Sequence, residues 1–402
     1  MLRPRDEPMS PSSVPSAMIS RLLHQSRSVE DPWNSPDVPL YDTTTFCFES
    51  TQHVLDVVEG RKSGALYTRY GHNPTLRALE RSLALLEHAE SALAFGSGMA
   101  ALSALFMAYG QNGIVVLGET YGGTRELLLQ QLSSIGFKVY MKHYPVKDDI
   151  YKFIQAGTLV FFESPSNPTL NVRNLRTTAE YCHRMGALVA IDSTFATPIN
   201  QNPLDAGIDF VVHSATKYLG GHSDITAGCI MGREELLRPI DAWRKNLGSV
   251  LAPSVAHLLH RSLKTLELRV KAQNHSALFL AEQLETHPKV LAVHYPGLAS
   301  STGYAVAKEQ MRGFGGMLSF DVRGGFEAAR TVADHVRLFV LAPSLGGVES
   351  LLTQPCTTSH HGMTAEERHF MGVGDGMLRL SVGLESPEEL WADLLAALDQ
   401  VA

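Results

Sequence analysis

Short apolar runs alternate with longer amphipathic segments between about residue 75 and residue 215. The runs TLVFFES (158–164) and ALVAID (187–192) have the length and composition of buried strands. Segments such as TLRALERSLALLEHAE (75–90) carry apolar residues at helical spacing. Because strands that are apolar throughout are usually buried on both faces, this alternation predicts an α/β fold whose mostly parallel sheet lies between helices.

The pattern changes near residue 250. Residues 254–287 are predicted to form one long helical segment, with Pro253 at its expected first turn. Two strand-like runs, GGMLSFDV and MLRLSVGL, follow with helical segments between and after them. These features predict a large domain over residues 61–250 and a smaller C-terminal α+β domain over residues 251–402.

Residues 1–60 are predicted to form an N-terminal arm that contacts another surface, such as a neighbouring subunit. Its first 40 residues are rich in Pro and Ser, which is typical of extended segments. Residues 1–24 lack the continuous apolar core of a signal peptide, so we expect a disordered arm there.

Composition excludes several classes of function. The 402-residue chain has a net charge of −7, whereas nucleic-acid binding needs a basic surface. No apolar run approaches the roughly 18 residues that span a bilayer, so we expect no membrane association. The four cysteines are scattered without metal-ligand spacing, which favours free thiols in a reducing cytoplasm and no metal site.

A lysine follows a predicted buried strand in the segment DFVVHSATKYLGGHSD. Lys217 would become nucleophilic if burial or a neighbouring cation lowered the pKa of its side-chain amine. Ser214 and Thr216 could donate hydrogen bonds to a phosphate, and Gly220 and Gly221 would let the backbone approach closely. By itself, an exposed loop lysine is an equally good interpretation.

Two charged residues stand in otherwise apolar strands. Asp192 ends the run ALVAID, and a buried carboxylate is costly unless it pairs with a cation. The protonated pyridine nitrogen of pyridoxal phosphate (PLP) is such a cation, although a helix N-cap aspartate is a serious alternative. Arg379 in MLRLSVGLE could bind a substrate carboxylate in a bidentate manner. Taken singly, a structural salt bridge is the favoured interpretation for this arginine.

Two loops could contact a phosphate or a planar group. FGSGMAAL places Gly98 and Met99 at a helix start, where free backbone N–H groups attract anions, although a plain tight turn is equally compatible. Tyr121 in ETYGGT could stack on a planar cofactor or belong to the core.

In order and spacing these residues resemble the Cys/Met-metabolism family of PLP-dependent enzymes, which includes cystathionine γ-synthase, cystathionine γ-lyase and methionine γ-lyase. The resemblance runs from about Tyr41 to the C-terminus, and HSATKYLGGHSD, SLGGVES and RLSVGLE are its most specific parts. It implies a fold-type-I PLP-dependent transferase with a mostly parallel seven-stranded sheet and a smaller C-terminal domain. It also implies a homotetramer, built as a dimer of dimers, that acts on a small amino-acid substrate.

The resemblance also implies roles for individual residues. Lys217 would carry PLP as a Schiff base and move protons, Asp192 would bind the pyridine nitrogen, and Tyr121 would stack on the ring and assist the leaving group. The phosphate would be held by Gly98, Met99, Ser214 and Thr216, with Tyr67 and Arg69 reaching in from the neighbouring subunit. The substrate carboxylate and the cofactor's phenolic oxygen would be oriented by Asn167, Ser344 and Arg379.

Three positions bear on the choice of substrate. Gly123 stands where methionine γ-lyases have a cysteine, which weakens a strict methionine γ-lyase assignment. Glu126 stands where many cystathionine γ-enzymes have an arginine for the distal carboxylate. If Glu126 faces the pocket, it favours a neutral or cationic distal group, but an acid facing solvent from a helix's first turn is an equally weighted alternative. Glu349 in SLGGVES resembles the γ-synthase and γ-lyase pattern.

The expected activity is therefore PLP-dependent γ-elimination or γ-replacement on an amino acid with a leaving group at Cγ, of the methionine, homoserine-ester or cystathionine type. The alternative is a γ-lyase for a cationic distal group such as that of canavanine, an interpretation that depends on Glu126. A cystathionine β-lyase or an aminotransferase ranks lower.

Overall fold

The computed structural model describes residues 18–24, 33, 35–141 and 149–401. Much of the predicted arm, including residues 1–17 and 25–32, lies outside these ranges. Residues 142–148 also lie outside them.

Seven strands form the first sheet, in the order β1-β7-β6-β5-β4-β2-β3. Only the pairs that include β7 are antiparallel, and the strands from β6 to β3 are parallel. Most positions of these strands are buried on both faces, as the continuous apolar runs predict. The strands are β1 (Ser91–Phe95), β2 (Ile114–Val116), β3 (Val139–Met141), β4 (Leu159–Glu163), β5 (Leu188–Asp192), β6 (Phe210–His213) and β7 (Gly228–Gly232).

Five strands form the second sheet, in the order β10-β11-β12-β9-β8. Its apolar face packs against helices from the C-terminal part of the chain, in a hydrophobic cluster separate from the clusters around the first sheet. The predicted fold class is confirmed, and the domain boundary near residue 250 stays a prediction. The strands are β8 (Val290–His294), β9 (Met317–Val322), β10 (Val340–Leu341), β11 (Leu351–Thr353) and β12 (Met377–Ser381).

Helices cover the sheets and join their strands. No helix of the described ranges is long and apolar enough to cross a membrane. The α-helices are α1 (Met18–Leu23), α2 (Thr51–Val58), α3 (Pro74–Leu86), α4 (Gly98–Tyr109), α5 (Gly122–Glu126), α6 (Leu175–Arg184), α7 (Thr197–Asn200), α8 (Glu234–Leu247), α9 (Pro253–Leu263), α10 (Leu266–Glu285), α11 (Tyr304–Gln310), α12 (Gly325–His335), α13 (Ala365–Phe370) and α14 (Pro387–Asp399). Shorter 3₁₀ turns occur at Thr68–Tyr70, Ile150–Phe153, Pro203–Ala206 and Pro355–Thr357, and Leu127–Leu132 is π-helical.

Two local predictions are wrong. Residues 18–23, expected to be disordered, form α1, because Leu22 is buried in the same hydrophobic cluster as residues of α3. The single helix expected over 254–287 breaks at Lys264 and Thr265 into α9 and α10.

The break between α9 and α10 has a physical cause. The guanidinium of Arg269 donates to the carbonyl of Ser262, near the end of α9, at 3.0 Å. The same guanidinium donates to the carbonyls of Tyr218 and Leu219 at 2.7 and 3.4 Å. Carbonyls in the last turn of a helix have no intrahelical partner, so this arginine supplies one while it holds the loop that follows β6.

Candidate active site

A cavity of about 630 Å³ opens at the carboxyl ends of β4 and β5, beside the start of α4, and is closed by the segment before β11 and by β12. This is the edge of an open α/β sheet at which ligands usually bind. Ten of the predicted site residues line it, namely Gly98, Met99, Tyr121, Asn167, Asp192, Ser214, Thr216, Lys217, Ser344 and Arg379.

Lys217 lies in the loop after β6, and its amine points across the cavity. Its Nζ donates a hydrogen bond to Oγ of Ser344 at 2.8 Å. Burial lowers the pKa of this amine, and the nearby positive charge of Arg379 lowers it further. A lowered pKa increases the fraction of neutral amine, which is the form that acts as nucleophile or base.

The start of α4 has the features of a phosphate site. Ser97 caps the helix by accepting a hydrogen bond from the N–H of Ala100 at 3.0 Å, and the helix runs for twelve residues from Gly98. A Cβ at Gly98 would lie 3.0 Å from the Cβ of Ser214 and 3.1 Å from its Cα. A side chain at position 98 would therefore press on the loop that carries Lys217, because α4 begins directly against that loop.

The hydroxyl-bearing residues of the lysine loop are held by backbone contacts. The N–H of Ser214 donates to Oγ1 of Thr194 at 2.8 Å. The Thr216 hydroxyl exchanges hydrogen bonds with the backbone of Ala227, donating at 3.1 Å and accepting at 2.9 Å. These bonds fix the loop between β6 and β7 on the side of the cavity where α4 begins.

Asp192 ends β5 at the floor of the cavity. One of its oxygens accepts the N–H of Thr194 at 2.9 Å. Burial nevertheless raises the pKa of the Asp192 carboxyl, since this hydrogen bond only partly offsets the loss of hydration. A cation beside it would reverse that direction, so the site is suited to a protonated ring nitrogen.

Arg379 joins the two sheets at the cavity. It lies on β12, and its Nη1 donates to Oδ1 of Asn167 at 2.9 Å while its Nη2 donates to the carbonyl of Ser344 at 3.1 Å. Its Nε is buried without a hydrogen-bond partner, and no carboxylate of the described ranges lies within ion-pair distance of the guanidinium. Burial lowers the pKa of this guanidinium to about 10. A structural salt bridge, the alternative from sequence, does not form here.

Two predicted residues lie outside the cavity of this chain, near the end of α8. Arg69 donates from Nη1 to the carbonyl of Lys245 at 2.8 Å, and its guanidinium carbon lies 4.9 Å from the ring centroid of Tyr70. Tyr67, next to it, is exposed. Their role in a neighbouring subunit's site stays a prediction.

Glu126 and Glu349 do not line the cavity either. Glu126 is exposed at the end of α5, and Glu349 accepts a short hydrogen bond from the hydroxyl of Ser223. The arginine before Glu126, Arg125, forms an ion pair with Glu367 at 3.2 Å.

Sequence reasoning missed one acid that lines the cavity. Glu163 ends β4, beside Asp192 on β5, and accepts the backbone N–H of Tyr121 at 2.6 Å. The sequence does indicate it, because Glu163 in TLVFFES stands at the end of a buried strand, as Asp192 does in ALVAID.

Comparison with known proteins fixes the family. The family model described as Cys/Met metabolism PLP-dependent enzyme matches residues 20–399. The chain belongs to this family.

Several members of the Cys/Met metabolism family are similar over most of the chain. L-methionine gamma-lyase of Fusobacterium nucleatum subsp. nucleatum is 40% identical over 370 residues, covering 90% of this chain and 93% of that protein. Chloroplastic cystathionine gamma-synthase 1 of Arabidopsis thaliana is 40% identical over 371 residues, covering 90% of this chain but only 65% of that protein. A crystal structure of cystathionine gamma synthase from Xanthomonas oryzae pv. oryzae, in complex with aminoacrylate and cysteine, has a TM-score of 0.89 and 36% identity, covering 96% and 99% of the two chains.

Enzymes of the Cys/Met metabolism family depend on PLP, and the cavity fits that cofactor. Gly98, Ser214 and Thr216 line the cavity at the start of α4, where free backbone N–H groups suit a phosphate, and Lys217 lines the same cavity. The carboxyl of Asp192 lacks an ion-pair partner in the described ranges. Bound PLP supplies a ring that withdraws electrons from the substrate's Cα.

Proposed function

We propose that the protein catalyses γ-elimination or γ-replacement on an amino acid with a leaving group at Cγ, of the methionine, homoserine-ester or cystathionine type. The observation that carries the proposal is the arrangement of Lys217, Ser344 and Arg379. It places an amine with a lowered pKa and an arginine without a carboxylate partner on the two sides of one serine.

Arg379 orients the substrate. A bidentate pair with the substrate's α-carboxylate would satisfy its buried guanidinium and replace the charge partner that the protein does not provide. Asn167 holds one Nη of the guanidinium in place, and the backbone of Ser344 holds the other. The α-carboxylate would thus be fixed close to the amine of Lys217.

Lys217 moves protons. Its neutral Nζ accepts the proton from the substrate's Cα, and the flexible side chain then reaches the neighbouring Cβ. Ser344 orients the amine between these positions through its hydroxyl. Tyr121, which lines the cavity and is 48% exposed, would assist the departing group.

The charges of the cavity bear on the distal group of the substrate. Among the described residues that line it, the cations are Lys217 and Arg379, and both serve the α-carbon end. Arg125 is engaged by Glu367. A distal carboxylate therefore finds no dedicated cation among the described residues that line the cavity, which favours a neutral distal group such as a thioether or an acetyl ester.

A cationic distal group, as in canavanine, is the second candidate. Glu126 stands two residues after Thr124, which lines the cavity, and it is exposed at the end of α5. A distal cation would gain from this carboxylate, and a distal anion would be repelled.

A substrate panel tests the proposal. Methionine, O-acetylhomoserine, O-succinylhomoserine, cystathionine and canavanine are incubated with the PLP-loaded protein, with and without a thiol, and the products are identified by mass. Keto-acid release or a new thioether from a neutral substrate supports it. Return of the cofactor as pyridoxamine phosphate would instead indicate a transaminase. Preference for canavanine that is lost in Glu126→Arg would support the second candidate.

A further inference from the structure

Two carboxyl groups stand side by side at the carboxyl ends of neighbouring parallel strands. Glu163 on β4 and Asp192 on β5 are register partners. Neighbouring strands lie about 4.8 Å apart, and paired residues point to the same face of the sheet. Both residues line the active-site cavity. Only Asp192 has a role in the proposed reaction so far.

Glu163 also contacts the loop that carries Tyr121. Its Oε1 accepts the backbone N–H of Tyr121 at 2.6 Å, directly before α5 begins. The Tyr121 side chain makes no capping hydrogen bond at this helix start. The Glu163 carboxyl therefore fixes the backbone position from which the Tyr121 ring extends over the cavity.

The pair sits where two negative charges are costly. Burial raises the pKa of Glu163 well above its usual range, and the charge of Asp192 raises it further. The charge of Glu119, which follows β2, raises the pKa of Glu163 by a smaller amount. Glu119 and Glu163 both line a second cavity, of about 660 Å³. Adjacent buried carboxyls share a proton, because only one of them ionises readily.

We propose that Glu163 is a positioning residue of the active site, which anchors the backbone of Tyr121 and retains the proton of the Glu163–Asp192 pair, so that the negative charge stays on Asp192. Asp192 is then the carboxylate that meets the pyridine nitrogen, and the neutral Glu163 carboxyl still accepts the Tyr121 N–H. This inference rests on the proposed function, because Tyr121 and Asp192 serve the same cofactor.

Glu163→Gln and Glu163→Met test whether Glu163 acts through its hydrogen bond to Tyr121 and its neutral charge, or only by filling space. Glutamine keeps a carbonyl acceptor for the Tyr121 N–H and is neutral, like the protonated acid, whereas methionine has similar length but no strong acceptor. We expect the PLP dissociation constant of Glu163→Gln to stay within about 2-fold of wild type, and that of Glu163→Met to rise about 10-fold, since the Tyr121 N–H loses its partner. The visible circular dichroism of bound PLP, which reports how asymmetrically the ring is held, should weaken only in Glu163→Met.

Glu119→Met is the matched control. It removes another half-buried carboxyl, one whose hydrogen bonds come from Ser166, Thr169 and Asn171 and not from Tyr121. It should leave PLP affinity within about 2-fold of wild type, because it leaves the Tyr121 N–H paired. Thermal unfolding of each apoprotein confirms that the variants fold.

Three outcomes would overturn the inference. If both Glu163 variants bind PLP as tightly as wild type, Glu163 only fills space. Equal weakening in both would mean that an ionised carboxylate is required. A loss in Glu119→Met as large as in Glu163→Met would assign the effect to general destabilisation. Failure of the wild-type protein itself to bind PLP would count against the proposed function instead.

Discussion

The amine of Lys217 reaches across the cavity to the hydroxyl of Ser344, with 2.8 Å between Nζ and Oγ. Ser344 adopts a φ of 99°, a region that residues with a side chain rarely occupy. Its carbonyl also accepts from Arg379. One strained residue thus joins the amine to the carboxylate-binding arginine, an arrangement typical of functional sites.

Substitution of Ser344 should separate stability from activity. Ser344→Gly and Ser344→Ala both lose the hydroxyl, so kcat should fall about 10-fold in each. Glycine alone relieves the positive φ, so Ser344→Gly should unfold with a free energy about 1 kcal/mol higher than Ser344→Ala. Denaturant unfolding and steady-state kinetics measure the two effects. Equal stability of the two variants would show that the positive φ at position 344 is not strained.

Replacement of Arg379 by lysine should impair substrate binding and spare the cofactor. Lysine cannot form a bidentate pair with the α-carboxylate, so KM should rise about 100-fold. The PLP dissociation constant should change by less than about 2-fold, since Arg379 holds the substrate end of the cavity. Kinetics and cofactor titration test this expectation, which an unchanged KM would refute.

A methyl group at position 98 should disturb the phosphate site. In Gly98→Ala the new Cβ would lie 3.0 to 3.2 Å from atoms of Ser214, so α4 and the lysine loop must separate. We expect PLP to bind about 10-fold more weakly, because the free N–H groups at the helix start would no longer point at the phosphate. Gly96→Ala is the matched control, since its Cβ would meet only the Ser249 carbonyl, at 4.0 Å. A similar loss of PLP affinity in both variants would contradict a specific effect of the contact between position 98 and Ser214.

The buried His260 should make the fold sensitive to acid. Burial, together with the charge of Lys264, lowers the pKa of His260 from 6.5 to about 4. Between pH 6.5 and 4 the unfolded chain therefore binds a proton that the folded protein excludes, so stability is full above this window and falls with pH through it. His260→Gln, which can keep the hydrogen bond to Ser82, should reduce this loss by up to about 3 kcal/mol. Unfolding free energies measured across the window test it, and identical slopes would contradict it.

Mixing two inactive variants should test whether sites are shared. If Arg69 completes the neighbouring subunit's site, Lys217→Ala and Arg69→Ala are each inactive but form hybrid dimers with one intact site. Random co-assembly should restore about a quarter of the wild-type activity. No recovery in assemblies shown by mass to be hybrid would place Arg69 in its own subunit's chemistry.

The sequence predicts the parts of this molecule that depend on local pattern. The strands of the first sheet, the start of α4 and the position of Lys217 after β6 follow from apolar runs and from turn residues close to them in the chain. The ten predicted residues that line the cavity lie within such motifs or match the family pattern.

Other features depend on contacts between distant segments. Asn167 and Arg379 meet across 212 positions, and the break between α9 and α10 depends on an arginine that reaches the loop after Lys217. Glu163 and Asp192 carry the same local signal, and only their register across two strands shows that they form a pair. Tyr67, Arg69 and Glu126 do not line this cavity, so their predicted roles depend on contacts beyond it.

The contacts of the Arg269 guanidinium bear on the heat inactivation of the enzyme. It holds the carbonyls that follow Lys217 together with the last turn of α9, and a side chain at Gly221 would strike its Nη1. Loosening of that helix junction therefore frees the loop that carries the reactive amine, while the buried strands stay paired. Heat inactivation should accordingly precede the loss of secondary structure.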